Sequence, residues 1–537
     1  MNTSSFSIIR AGGAIRACGI AAAAIWAPVA YAQAPAAGDA QRVNVVLYVI
    51  DALRADHVGA YGYARGTTPA IDALAKEGVV FEQCYAIAPW ALPAAAALLT
   101  STLPCEHEAL VEGDHVKSDT ASLGQRLMSG GYATALFSSN PFVGDASGLD
   151  RGFDSVNLRI SIRPRTVRRW LTRGASEPFF VYVHDARAVD PAAAPDDWAR
   201  LFGGVDDRRQ TELRKLTSVY RGLVRADFDA QRPLGTTNNS GQQRAVIEEL
   251  AGYKSDFSVL YDGAVRAADD LLANLIADLK QGGMWDRTAL IVTGSHGIEM
   301  GEHDGWLFDS SLYEELTRVP LVIRFPGGRH AGARVSAPVT HLDVAPTVLE
   351  LAGQPKPYAG LRGLSLAPLL SEAAPASAPR LVGVRMDRRT WFRKSDRQRG
   401  AQNVAVRDGA WKGVWNVDVD GFELYDLKSD PGEQRDLSAS QPELARRLLD
   451  FARSQVDGCL SKPAARPSME VIQQLPQNVR DTLRALGYIS EDESKEPPGK
   501  NAARPRRAKP GRKAGSDEAE ERDAEAGAPG GGEDDER

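Results

Sequence analysis

Asp51, His184 and the adjacent pair Ser295-His296 each follow an apolar run, at residues 43–50, 179–183 and 289–293 respectively. A carboxylate, imidazoles and a hydroxyl brought together support two kinds of chemistry: holding a divalent cation, or moving protons. The donor set is thin for the first. Calcium takes about six or more oxygens and zinc is usually held by four ligands. His184 and His296 also have a plainer reading, as histidines satisfied by local hydrogen bonds.

For these residues to meet, the runs that carry them must lie side by side. Apolar runs alternate with amphipathic helical stretches over most of the chain, the pattern of a mostly parallel sheet covered on both faces. Strands are expected at 43–50, 133–138, 179–183, 289–293 and 321–325, and helices at 69–77, 94–100, 263–281 and 344–352. In such sheets the functional residues gather beyond the carboxyl ends of the strands. That rule puts Asp51, His184 and Ser295-His296 on one rim. The polar stretch of about 196–250 reads as a helical or loop insertion. Alternating runs at Val404-Ala-Val-Arg and Trp411-Lys-Gly-Val-Trp indicate a smaller antiparallel unit from about residue 381.

The ordered motifs are specific. Asn44-Val-Val-Leu-Tyr-Val-Ile-Asp-Ala-Leu-Arg-Ala-Asp56 is followed by Tyr61-Gly-Tyr, Thr68-Pro-Ala-Ile-Asp-Ala-Leu-Ala, Ala88-Pro-Trp-Ala-Leu-Pro-Ala-Ala-Ala-Ala-Leu-Leu-Thr100 and Gly148-Leu-Asp-Arg-Gly-Phe-Asp154. Then come Tyr261-Asp262, Thr293-Gly-Ser-His-Gly297, Gly301-Glu-His303, Leu312-Tyr-Glu-Glu-Leu-Thr-Arg-Val-Pro-Leu321, Asp343-Val-Ala-Pro-Thr347, Glu423-Leu-Tyr-Asp-Leu427 and Asp430-Pro-Gly-Glu433. In this order they resemble the sulfatases of the alkaline-phosphatase-like hydrolases. The resemblance implies an α/β fold: a large mixed, mostly parallel sheet sandwiched by helices over 43–370, with a small C-terminal antiparallel α+β subdomain and docking helix over 381–490.

The same resemblance implies a degenerate active site. With Pro93 fixing the register of Cys/Ser/Thr-x-Pro-x-Arg, the nucleophile position holds Ala91 and the basic position Ala95. Alanine has no lone pair and cannot become formylglycine, so covalent catalysis at residue 91 is excluded. Asp51 matches a family metal ligand and His296 keeps a His or Asn ligand position, but Ser295 stands where the family has Asp, and Ala52 where many members have a second Asp. Val189 and Phe308 fall where oxyanion-binding His or Lys residues are usual. Arg54 and Arg187 remain as candidate substrate-binding cations, and His184 and His303 as relic catalytic groups. Asp262 and the Glu302-His303 pair read as structural, as do Tyr61 and Trp90; Trp306 and Phe308 are candidates to fill the former pocket or to stack on a sugar ring.

Three functions follow: an inactive sulfatase-like protein with a binding or scaffolding role; a sulfuric- or phosphoric-ester hydrolase using a metal-bound water; or a glycan-binding protein using the relic cleft. The second needs a weakly bound calcium, magnesium or zinc with extra ligands such as Asp56, Asp185 or Asp304. The ligands in view are sulfated or phosphorylated glycans or a protein partner. A net charge of -6 over 537 residues gives no argument for nucleic acid.

Residues 1–32 read as a secretory leader, with Arg10 and Arg16, an apolar run Ile20-Ala-Ala-Ala-Ala-Ile-Trp, and a small-x-small site at Ala30-Tyr-Ala32. The expected product is periplasmic or secreted, with no transmembrane segment after cleavage. Cys84, Cys105 and Cys459 then remain, allowing one intramolecular bridge; Cys84–Cys105 and free buried thiols are the two readings. Residues 491–537, a basic block at 500–513 and an acidic block at 517–536, are expected to be a disordered charged tail.

Overall fold

The computed structural model describes residues 42–173, 177–193, 196–229, 239–308, 310–371, 378–386 and 402–460. The strands, in chain order, are β1 (Asn44–Ile50), β2 (Val79–Tyr85), β3 (Ala133–Ser138), β4 (Ser155–Leu158), β5 (Phe179–Asp185), β6 (Thr288–Gly294), β7 (Glu299–Met300), β8 (Trp306–Leu307), β9 (Arg318–Arg324), β10 (Arg334–Val335), β11 (Val339–Thr340), β12 (Arg380–Met386), β13 (Gln402–Asp408), β14 (Trp411–Asn416) and β15 (Gly421–Asp426). A nine-stranded sheet runs β10-β2-β9-β6-β1-β5-β3-β4, with β11 also on β2. Its central pairs are parallel, while β9 lies antiparallel to both β2 and β6.

Every residue of β1, β5 and β6 is buried, because side chains alternate between two faces and helices cover both. Along β1, Val46, Tyr48 and Ile50 enter one core with the long helix Lys254–Gln281, and Val45, Leu47 and Val49 enter the other with the helix Ala91–Thr100. Both helices begin earlier than the sequence suggests. Pro93 sits in the first turn of Ala91–Thr100, where a backbone N–H has no intrahelical partner, so it does not delay the helix. Between β5 and β6 the polar stretch is helical, with Asp207–Asp229 and Asn239–Ala251 as its main elements. The leader (1–32), the docking helix expected within 381–490 and the charged tail lie outside the described residues.

The second sheet is an antiparallel meander, β12-β13-β14-β15, backed by the helix Pro442–Gln455. Its core includes Ile87, Ala97, Leu103 and Leu342 from the first unit. A buried charge cluster adds to this junction. Lys412 of β14 is fully enclosed, its Nζ 3.0 Å from Glu314 Oε1 and 3.0 Å from Glu433 Oε1. Glu433 Oε2 accepts from Glu314 N at 2.7 Å, and Arg407 Nη1 donates to Tyr85 Oη.

Cys105 and Cys459 form the disulfide, with Cα atoms 5.6 Å apart. Cys84 is a free thiol buried on β2, which corrects the Cys84–Cys105 pairing. Sequence proximity misleads here because β2 carries Cys84 into the sheet, while the segment just after Pro442–Gln455 returns beside Cys105. The bridge closes a loop across a sequence separation of 354. Replacing both cysteines by alanine is expected to cost about 2–4 kcal/mol, visible as a lower urea midpoint; an unchanged midpoint would show that the packed junction alone suffices.

Candidate functional site: a closed polar rim

Four neighbouring strands, in the order β6, β1, β5, β3, deliver the rim. Asp51 follows β1, His184 lies near the end of β5, Ser295 and His296 follow β6, and Asn140 follows β3. All five are buried. Asp51 Oδ1 accepts from Ser295 Oγ. Asp51 Oδ2 accepts from Asn140 Nδ2 at 2.6 Å and lies 3.1 Å from His184 Nε2. His296 Nδ1 donates to the Gly297 carbonyl at 2.6 Å, leaving Nε2 3.6 Å from Asp51 Oδ1. His184 Nδ1 meets Tyr182 Oη at 2.8 Å.

Burial alone would raise the Asp51 pKa, but His184, His296 and the Ser295 hydroxyl outweigh it and hold the carboxyl well below the usual carboxylate range. Burial pushes the His296 imidazolium the other way, toward the neutral ring, against the pull of Asp51. The backbone around the rim is tightly set. Ala52 is held in the left-handed region (φ 56°), where Tyr261 Oη donates to its carbonyl at 2.6 Å and accepts from Arg54 N at 2.9 Å. Gly297 is required by close approach, since a Cβ there would stand 1.9 Å from the Glu315 carbonyl oxygen.

Ala91 and Ala95 are both buried at the start of their helix, beside Trp90, whose ring meets Phe142 edge-on at 5.7 Å. Phe308 lies against the His296 ring at 5.4 Å. Methyl groups and an aromatic ring are what these three positions, singled out in the sequence, present. Trp306 packs instead on Phe257 in the core.

The other sequence candidates do not join this cluster. Arg54 pairs with Asp56 and Glu302 and donates to the Ile298 carbonyl. Arg187 pairs with Asp185 at 2.9 Å and donates to the Ile162 and Ala267 carbonyls. His303 is stacked on Tyr313 and its Nδ1 lies 2.7 Å from Glu315 Oε1. Asp56 and Asp185 are therefore occupied by arginines, and Asp304 is exposed, so none supplements Asp51. For Arg54, Arg187, His303, Asp56 and Asp185 a nearer opposite charge takes the side chain. Asp262 holds His57 Nδ1 at 2.8 Å, Tyr63 Oη at 2.8 Å and Arg65 Nη1 at 2.6 Å. Tyr61 Oη donates to the Phe81 carbonyl. Asn140 was missed, although the strand-end rule applied to 133–138 points to it.

This donor set does not fit the hard cation that the family resemblance implies. Two N–H or O–H donors already face the oxygens of Asp51, where a cation would supply the positive charge. The remaining neighbours are imidazoles rather than the several oxygens calcium needs. Among the described residues, no group of three or more His, Cys, Asp or Glu side chains is arranged to hold a metal ion.

Comparison with known proteins agrees with the fold. The chain is 22% identical over 502 residues to the N-acetylglucosamine-6-O-sulfatase of Bacteroides thetaiotaomicron, covering 79% of this chain and 88% of that protein. It is 25% identical over 497 residues to the multifunctional alkaline phosphatase superfamily protein PehA of Trinickia caryophylli, covering 78% and 96%. The phosphonate monoester hydrolase of Agrobacterium radiobacter superposes with a TM-score of 0.58 at 21% identity, over 79% of this chain and all of that one. The model of the N-sulphoglucosamine sulphohydrolase C-terminal region matches residues 301–450. The sulfatase family model matches residues 43–354, and the chain belongs to the sulfatase family.

Proposed function

We propose that this protein is an exported, catalytically silent member of the family that acts by binding a sulfated saccharide. The observation that carries the reading is that both oxygens of Asp51 are bonded to Ser295 and Asn140; the family register, which gives Ala91 the nucleophile position, supports it. A hydrolase needs an electrophile and an activated oxygen at the reacting ester. In the family register the equivalent positions carry methyl groups, a phenyl ring and the Ser295 hydroxyl, which is already bonded to Asp51. The relatives' names supply the ligand class, since the N-acetylglucosamine-6-O-sulfatase and a Delta 4,5-hexuronate-2-O-sulfatase of the same bacterium act on sulfated sugars. Export rests on the leader at residues 1–32. No helix among the described residues is long and apolar enough to cross a membrane.

The test is turnover of aryl sulfate, phosphate monoester, phosphodiester and phosphonate with calcium, magnesium, manganese or zinc, set against an Asp51→Ala/His296→Ala double variant. The expected rate is no higher than the double variant's. Turnover that the double variant abolishes would overturn the silent reading and establish an unrecognised nucleophile.

A further inference from the structure

Arg159, Arg163, Arg165 and Arg169 are exposed, and among the described residues no carboxylate pairs with any of the four guanidinium groups. Other described arginines behave otherwise: Arg54, Arg187, Arg209, Arg334 and Arg362 are all tied to carboxylates. The four lie in one stretch. Arg159 directly follows β4, Arg163 precedes the helix Pro164–Arg173, and Arg165 and Arg169 are one turn apart on that helix. Val167 and Leu171 are its buried side, so Arg165 and Arg169 share the solvent face. Arg168 is the exception, its Nε 2.6 Å from Asp278 Oδ1.

Two features set this stretch apart from an ordinary solvated charge run. It is held in place, because Arg187 Nη2 donates to the Ile162 carbonyl at 2.9 Å and Ile162 is buried. It also combines the charges with apolar surface, since Val156 and Ile160 are 40% and 55% exposed. β4 is parallel to β3 at the sheet edge, so its carboxyl end opens on the same rim as Asp51 and His184. With strands about 4.8 Å apart, the arginines begin roughly 10 Å from the end of β5.

We propose that this arginine surface docks a sulfated polysaccharide alongside the closed rim, an inference that rests on the silent, saccharide-binding reading above. Guanidinium groups present paired donors to the oxygens of sulfate, and the exposed apolar side chains cover the less polar faces of sugar rings. Arg187, a substrate-binding candidate in the sequence, thereby becomes a positioning residue for the stretch that carries the contact.

Binding of the full exported chain to heparin and dextran sulfate, over a range of salt concentrations, tests this. Replacing the four arginines by glutamine is expected to lower heparin affinity at least tenfold at 0.15 M salt and to reduce the log–log salt slope by about three to four. Replacing them by lysine should keep the slope while losing affinity. Replacing Arg329, Lys428, Arg435 and Arg446, exposed elsewhere, should change affinity less than threefold. The inference is overturned if the two glutamine sets act alike, or if deletion of residues 491–537 removes the binding and so assigns it to the basic tail block. It is equally overturned if polyglutamate of matched charge binds as tightly, which would make the partner an acidic peptide. Ester turnover defeats the silent reading and leaves the arginine comparison standing; an absent arginine effect does the reverse.

Discussion

Ser295→Asp is expected to destabilise the protein by about 3–5 kcal/mol in chelator and to make its stability depend on calcium. The substitution removes the hydroxyl donor to Asp51 Oδ1 and puts a second carboxylate against the first in a fully buried site. An uncompensated buried charge costs about that much. The pair can relieve the repulsion by taking up a proton or a cation. Urea unfolding in EDTA and in millimolar calcium measures the difference; calcium present at 100 times its Kd restores about 2.7 kcal/mol. Adding Ala91→Ser should leave that calcium response intact, since residue 91 supplies no carboxylate. Equal unfolding midpoints with and without calcium would show either that the rim has lost more than one ligand or that Ser295 does not occupy a former metal position.

The second large effect lies at the junction of the two sheets. Lys412→Met leaves Glu314 and Glu433 enclosed without their shared cation, and Arg407, 3.6 Å from Glu314, is placed to neutralise only one of them. The expected cost is about 3–5 kcal/mol at pH 8, with a definite pH dependence. Burial pushes the Glu433 carboxyl up to about 7, against the downward pull of Lys412. For an acid whose folded value is raised, stability declines as pH rises from the unfolded value, about 4.5, through the folded one. Removing Lys412 raises the folded value further, so the variant should be nearest to wild type at pH 5 and furthest at pH 8. Denaturation midpoints at the two pH values decide this; a loss that is the same at both would mean that the lysine stem's packing, rather than its charge, matters.

The layout of the rim was legible because its strands are buried on both faces, which makes them continuous apolar runs with abrupt polar ends. Asp51, His184 and Ser295-His296 stand at those ends and do meet. What such runs cannot disclose is direction and partner. β9 reads like its parallel neighbours yet runs antiparallel, and β2, interrupted by Glu82-Gln83, does not read as a strand at all. Asn140 escaped because asparagine after Ser-Ser looks like a turn residue; only the position of β3 next to β5 turns it toward Asp51. Arg54, Arg187 and His303 stand apart from the Asp51 cluster for one reason: charged side chains reach several neighbours, and which carboxylate wins is decided by tertiary packing. The Cys105–Cys459 bridge, across 354 positions, leaves no local trace.

That bridge also ties the chain into a covalent ring. Nearly the whole large sheet after β2 lies inside it, together with the polar helices Asp207–Asp229 and Asn239–Ala251. A protease that nicks the backbone once at any point within the ring liberates no fragment, because both new ends stay linked through sulfur. Wherever peptidases are abundant and thiol reductants scarce, such a molecule can be cut and still hold its surface together.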